Sequence, residues 1–313
     1  MIFALLIALA PVQSDQFAFR SGFWNNLHHF LYVLGRDRNG TPDRTRDAVV
    51  NAPKDLDGFA ERTDVERAAW NEAIDFYAGG LSKKDAVFDK ELFGVTKILA
   101  SAPDNADLTT LKLDPRLVAV LQKAAPVYRA VWWVRHSARN AERQAEYQGL
   151  IDKYGRPAVA RLTSLYGTRW PPTPRIVDLV AYTNWAGAYS TSGPLIEVAS
   201  VYENTGGAIG LEILLHESSH QWDDEILRRV STIAARQHKK VPDTLTHALI
   251  WYTTGTVVSE LVPGHVPYAE KYGLWNRGGL TQLKPLLDKH WRPYLQGNGT
   301  FDQAVAAFFS EWQ

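Results

Sequence analysis

Apolar residues recur at helical spacing along most of this chain, and at strand spacing in one short stretch. Between Phe17 and Gly35, Phe23, Trp24, Leu27, Phe30, Leu31 and Leu34 form one aromatic-rich side and predict a helix. A polar connector follows at Asp37-Arg38-Asn39-Gly40-Thr41-Pro42-Asp43. Thr63 to Tyr77 reads as a helix that opens on the capping pattern Thr63-Asp64-Val65-Glu66 and ends at Gly79-Gly80. Lys83 to Ala100 continues at helical period. Asp114-Pro115 opens a further helix with proline at its first position, and Ala125-Pro126 is expected to interrupt it. A long amphipathic run, Val127 to Tyr154, then leads to Gly155-Arg156-Pro157, with another helix from Ala158 to Tyr166.

The period changes after Trp170-Pro171-Pro172-Thr173-Pro174. Ile176 to Tyr182 and Gly193 to Val201 are apolar or β-branched, are bounded by turn residues, and read as strands. The link between them, Thr183 to Ser192, is hairpin-like and has short strand potential of its own. Asn204-Thr205-Gly206-Gly207 leads into another helix. A long helix starts near Pro242-Asp243 and stops near Pro263-Gly264. Gly273 to Pro293 holds one more, and Phe301 to Trp312 is amphipathic. Helices, then a small antiparallel or mixed sheet, then helices again argue for an α+β fold that is mostly helical. The division expected is a helical N-terminal part, 15–168, and a second part, 169–313, with one shared core as the alternative.

A chain of 313 residues can bury a substantial core, and 45% hydrophobic with 22% charged residues is ordinary for a globular protein. Lys+Arg and Asp+Glu both number 34, so no basic surplus points to nucleic acid. There is no cysteine, which excludes disulfides and thiolate metal ligands. Ile2 to Val12 is an apolar run too short to span a bilayer and of the length of a signal-peptide core, with Val12-Gln13-Ser14 as a cleavage site and Ala8-Leu9-Ala10 as a second. Residues 1–14 are therefore read as a signal peptide and the protein as exported, periplasmic or secreted, with no membrane span after signal removal. No Lys or Arg precedes the run; a frayed apolar N-terminus is the alternative.

The chemistry concentrates in His216-Glu217-Ser218-Ser219-His220. Random placement of this many His and Glu residues would give such an HExxH pentapeptide roughly 0.01 times in a chain of this length. On a helix, residues four apart share a face, so two imidazoles at that spacing can hold one Zn2+, and the Glu between them can take a proton from a metal-activated water. The plainer reading is a helix with two buried His bonded to carbonyls.

The pentapeptide resembles the zincin metallopeptidases. With the strands before it and the helix after it, the resemblance covers at most a third of the chain. It implies a small sheet above the motif helix, an edge strand that pairs with an extended peptide, and a third ligand on a following helix or loop. No subfamily pattern extends it. The metzincin Gly and His positions hold Asp223 and Ile226. The gluzincin pattern fails because no Glu lies between Glu225 and Glu260 and Gly264 follows four residues later. Asp243 lacks the aspzincin context.

His247 is the preferred third ligand, because an unpaired ring among Leu245, Ala248 and Ile250 would be costly to bury. Glu260 is the alternative; at 13 residues' separation it lies about 220° round the helix from His247, so only one of the two can face the ion. Candidates for stabilising an oxyanion are, in order, Tyr268, Tyr252 and His265, each against a plain packing role. Asp223 or Asp224 would orient a ligand His, with an exposed helix carboxylate as the plainer reading. His28 and His29 point about 100° apart on a helix and read as packing or cleft-edge residues. The sequence therefore reads as a zinc-dependent hydrolase of peptide or protein substrates with Glu217 as general base. The alternatives are an exported binding or scaffold protein without turnover, and a hydrolase of a non-peptide amide or ester.

Overall fold

The computed structural model describes residues 16–40, 58–191 and 193–313; the expected signal peptide lies outside them. In chain order the elements are β1 (Phe17–Arg20), α1 (Phe23–Arg38), α2 (Asp64–Gly79), α3 (Lys90–Ala100), α4 (Pro115–Tyr128), α5 (Val134–Tyr166), β2 (Arg175–Val180), β3 (Ala188–Ser190), β4 (Leu195–Ala199), α6 (Gly207–Ser219), α7 (Asp223–Arg236), α8 (Leu245–Leu261), α9 (Tyr268–Lys271), α10 (Leu280–Leu286), α11 (Arg292–Leu295) and α12 (Phe301–Glu311). The fold is α+β and mostly helical, around one four-stranded mixed sheet. Its order is β1-β2-β4-β3, with β1, β2 and β4 parallel and β3 antiparallel at one edge.

Several local signals act as expected. Thr63 and Glu66 form a reciprocal capping box at the start of α2, and the Asp114 carboxylate accepts from the Arg116 N–H where α4 begins, with Pro115 inside the first turn. Three expectations change. Phe17–Arg20 is a strand and not helix, because it pairs with β2 across a long stretch of sequence that gives no local sign of the partner. The helix expected from Lys83 is shorter and starts at Lys90, where the Asp89 side chain accepts from the Leu92 N–H. Pro126 and Pro157 do not end helices: α4 passes through one π-type turn at Arg129–Trp133 into α5, which runs to Tyr166. A proline inside a helix costs about 3 kcal/mol. Burial of Tyr147, Ile151, Ala158, Leu162 and Tyr166 along α5 offsets that cost.

Two faces of the sheet carry different chemistry. Phe17, Val177, Leu179, Ile196 and Val198 point into one core with α5, α6 and α8. The opposite face turns Arg20, Asp178, Glu197 and Tyr189 toward α1. A second core holds α1 to α4 together through Phe30, Trp70, Tyr128 and Trp132. Strand pairing between β1 and β2 crosses the division expected at residue 168, and so does packing of α5 on α6 and α8. No helix among the described residues is long and apolar enough to cross a membrane.

The motif helix α6 is buried from Ile209 to Ser219, so its position is set by packing on every side. Glycines permit the closest approaches. A Cβ on Gly210 would lie 2.3 Å from Cε1 of Tyr147 on α5 and 2.4 Å from the Thr205 carbonyl oxygen. Gly210→Ala is therefore expected to destabilise the protein by about 1–3 kcal/mol, read as a lowered midpoint in thermal or urea denaturation, whereas Gly149→Ala on the open side of α5, where nothing lies within 4 Å, should not.

Candidate metal centre

His216 and His220 leave the end of α6 one turn apart, and His247 enters from the first turn of α8. Nε2 of His216 lies 3.2 Å from Nε2 of His220 and 3.2 Å from Nε2 of His247. One ligand atom from each of the three rings falls within 4.8 Å of the others. Zinc–nitrogen bonds of about 2.0–2.1 Å in tetrahedral array place two nitrogens about 3.3 Å apart. The two measured separations match that edge length, and an all-nitrogen set of neutral imidazoles suits a borderline-soft divalent ion.

The rings are held in place by different means. Nδ1 of His220 donates to Oδ2 of Asp223 at 2.9 Å, which turns its Nε2 lone pair toward the other two rings. His216 is buried and stacks on Trp251 with ring centroids 3.6 Å apart. Its Nδ1 has no hydrogen-bond partner among the described residues, so stacking on the indole holds this ring. His247 presents part of its surface to solvent. Burial lowers His216 well below the usual imidazole range, with His220 and His247 adding to the effect. His247 is also lowered, to about 4, by desolvation of its ring within the cluster and by His220, although the residue's surface is exposed. For His220 burial also pulls downward, but the Asp223 hydrogen bond and the charge of Glu217 outweigh it and the group is raised.

Glu217 is buried beside the last residue of the edge strand β3. Burial raises its carboxyl; His220 and the Ser190 hydroxyl and backbone N–H pull it back down. Arg175, first residue of β2 on the same sheet face as Ser190, is buried too and donates from Nη2 to the Gly193 carbonyl at 2.9 Å. Its Nε has no partner, and it interacts electrostatically with Glu217 and His220.

The other sequence candidates fall elsewhere. Glu260 lies near Arg161 of α5 at 3.4 Å and is not part of the histidine group. Tyr252 donates to Asp288 at 2.6 Å and accepts from Arg292 at 2.9 Å, which ties it to the C-terminal helices. His265 is locked to the buried Glu212, Nε2 to Oε2, at 2.6 Å. Tyr268 stacks on Trp251 with centroids 4.8 Å apart, so the indole stands between it and His216, and its hydroxyl accepts from Asn204 at 3.4 Å. Asp223 takes the orienting position; Asp224 is exposed. His28 and His29 are packing residues, each bonded to a tyrosine hydroxyl, Tyr77 at 2.8 Å and Tyr189 at 2.7 Å. Trp251, four residues after His247 on one face of α8, reads in the sequence as a core aromatic and not as a support for His216. Arg175 and Ser190 carry no local signal, since only the strand register brings them to Glu217.

No protein-family model, curated protein or solved structure matches the chain. The His247→Ala variant is expected to lose bound metal in elemental analysis of purified protein, while Glu260→Ala keeps it. Asp223→Ala should weaken metal affinity roughly 10- to 100-fold in competition with a chelator.

Proposed function

We propose that the chain is a zinc-dependent hydrolase that cleaves peptide bonds. One observation carries this reading: three imidazole nitrogens converge beside a buried glutamate that abuts the sheet's edge strand. His216, His220 and His247 would hold the zinc, with Asp223 orienting His220. When bound, zinc supplies a Lewis acid and lowers the pKa of water at its open position.

The remaining steps belong to the chain's own groups. Glu217 takes the proton of the attacking water and later delivers it to the leaving amine. Arg175 provides the positive charge beside it that favours the ionised form against burial. The edge strand supplies the reason to prefer peptides. β3 pairs only with β4 within the sheet, and an extended peptide adds to such an edge through main-chain hydrogen bonds. Ser190, at the end of β3, would then bring the scissile bond to Glu217.

Glu217→Gln removes the base and keeps the ligands. It should lower turnover of a peptide library by about 100-fold or more, with metal content unchanged. Full activity in that variant, or no zinc bound by the wild-type protein, would end this reading. Zinc-replete protein that hydrolyses simple amides or esters but no peptide would move the substrate class and keep the base.

A further inference from the structure

On the sheet face away from the histidines, two carboxyl groups lie side by side in the interior. Asp178 of β2 and Glu197 of β4 are register partners in the parallel ladder, so their side chains stand next to each other on the same face. Both residues are fully buried. Asp178 Oδ2 accepts from Arg20 Nε at 2.9 Å, and Glu197 Oε2 accepts from Asn25 Nδ2 at 2.9 Å. The second oxygen of each, Asp178 Oδ1 and Glu197 Oε1, is buried with no hydrogen-bond partner among the described residues. Asn25 Oδ1 is a third acceptor in the same condition.

Other nearby donors are engaged or fall outside hydrogen-bonding geometry: the Asn25 amide bonds Glu197 Oε2, and together with the Gly22 N–H it acts on Asp178 only as a weaker pull. Tyr189 of β3 is the other register partner of Glu197 on this face. His29 Nδ1 lies 2.9 Å from the Asn25 carbonyl and must donate to it. Its Nε2 is then an acceptor, so the Tyr189 hydroxyl at 2.7 Å donates to His29 and not to Glu197. The charges do not balance either. Arg20 from β1 pairs with Asp178, and His29 from α1 is held neutral by burial at about 4. Two ionised carboxylates against one guanidinium would leave a buried charge unpaired, which the interior disfavours strongly.

We infer that Asp178 and Glu197 share one proton, Glu197 standing as a carboxylic acid that donates to Asp178, and that this bond ties β4 to β2 beneath α1. A single proton converts two partnerless acceptors into one hydrogen bond and cancels the excess charge. Asn25 of α1 bonds Glu197 in either state, so the proton sits where the helical layer meets the strands. Burial pushes Asp178 up to about 7 against the pull of Arg20, Asn25 and the Gly22 N–H. It pushes Glu197 well above the carboxylate range, and the charge of Asp178 adds to that. Because the folded-state values are raised, the native state holds more protons than the unfolded chain above the ordinary carboxylate range. The stabilisation is complete below that range and is lost as pH rises toward the folded-state values. The pair lies across the sheet from the histidine cluster, and the inference does not rest on the metal reading.

The test uses the full chain, with infrared spectroscopy of wild type and Glu197→Gln at neutral pH and urea unfolding from about pH 5 to about pH 9. Glutamine keeps the acceptor for Asn25 and offers a donor to Asp178. The variant should fold, lose one protonated-carboxyl band present in wild type, and unfold at a midpoint that declines less with pH. A band unchanged in the variant, parallel declines in midpoint, or failure of Glu197→Gln to fold would overturn the proposal. So would a sodium, calcium or magnesium ion present in wild type by elemental analysis and absent from the variant, since a cation would then fill the place of the proton.

Discussion

Everything at the histidine cluster depends on how closely α8 can lie against α6. His247 reaches His216 only because the two helices touch further along, where Gly255 faces Pro267 and Glu212. A Cβ there would lie 2.8 Å from the proline ring and 3.0 Å from the carboxylate. Glu212 in turn accepts from His265 and from the backbone N–H of Tyr268, which closes the loop after α8 against α6. A catalytic-looking histidine thus serves to set the distance between two helices, and the residues that look most chemical in the sequence are divided between making the site and spacing it.

Much of this was legible beforehand. The motif helix, the helix that follows it, the two longer strands and the nearness of His247, and not Glu260, to the motif histidines follow local patterns that act through local physics: one-turn spacing and capping residues. What could not be read is register. Phe17–Arg20 has the apolar content of a helix start and becomes a strand because β2 offers it a ladder. Arg175 is an ordinary basic residue after a proline-rich turn until the same ladder turns it toward Glu217. Pro126 and Pro157 show the converse, a strong local signal outweighed by burial along more than thirty residues of helix.

The sheet separates two kinds of buried polar chemistry. One face supports α6 with apolar side chains and brings Arg175 and Ser190 to the glutamate. The other meets α1 through a polar seam, in which Asn26 accepts from the Ala181 N–H and donates to the Leu179 carbonyl while Asn140 bonds to Asn26. Polar contacts of this kind are satisfied only in one alignment, so the seam fixes how the helical layer sits on the strands more strictly than apolar packing would. Tyr189 and Ser190 are consecutive on β3 and point to opposite faces, so this short edge strand belongs to both environments.

The three histidines differ in depth: His216 is enclosed, His220 partly so, and His247 meets solvent. This gradient gives the cluster a direction. Anything that arrives from outside encounters the α8 ring first and the stacked α6 ring last, and departure runs in reverse. The exposed α8 ring is thus the cluster's outer edge, and the ring stacked on Trp251 lies farthest from solvent.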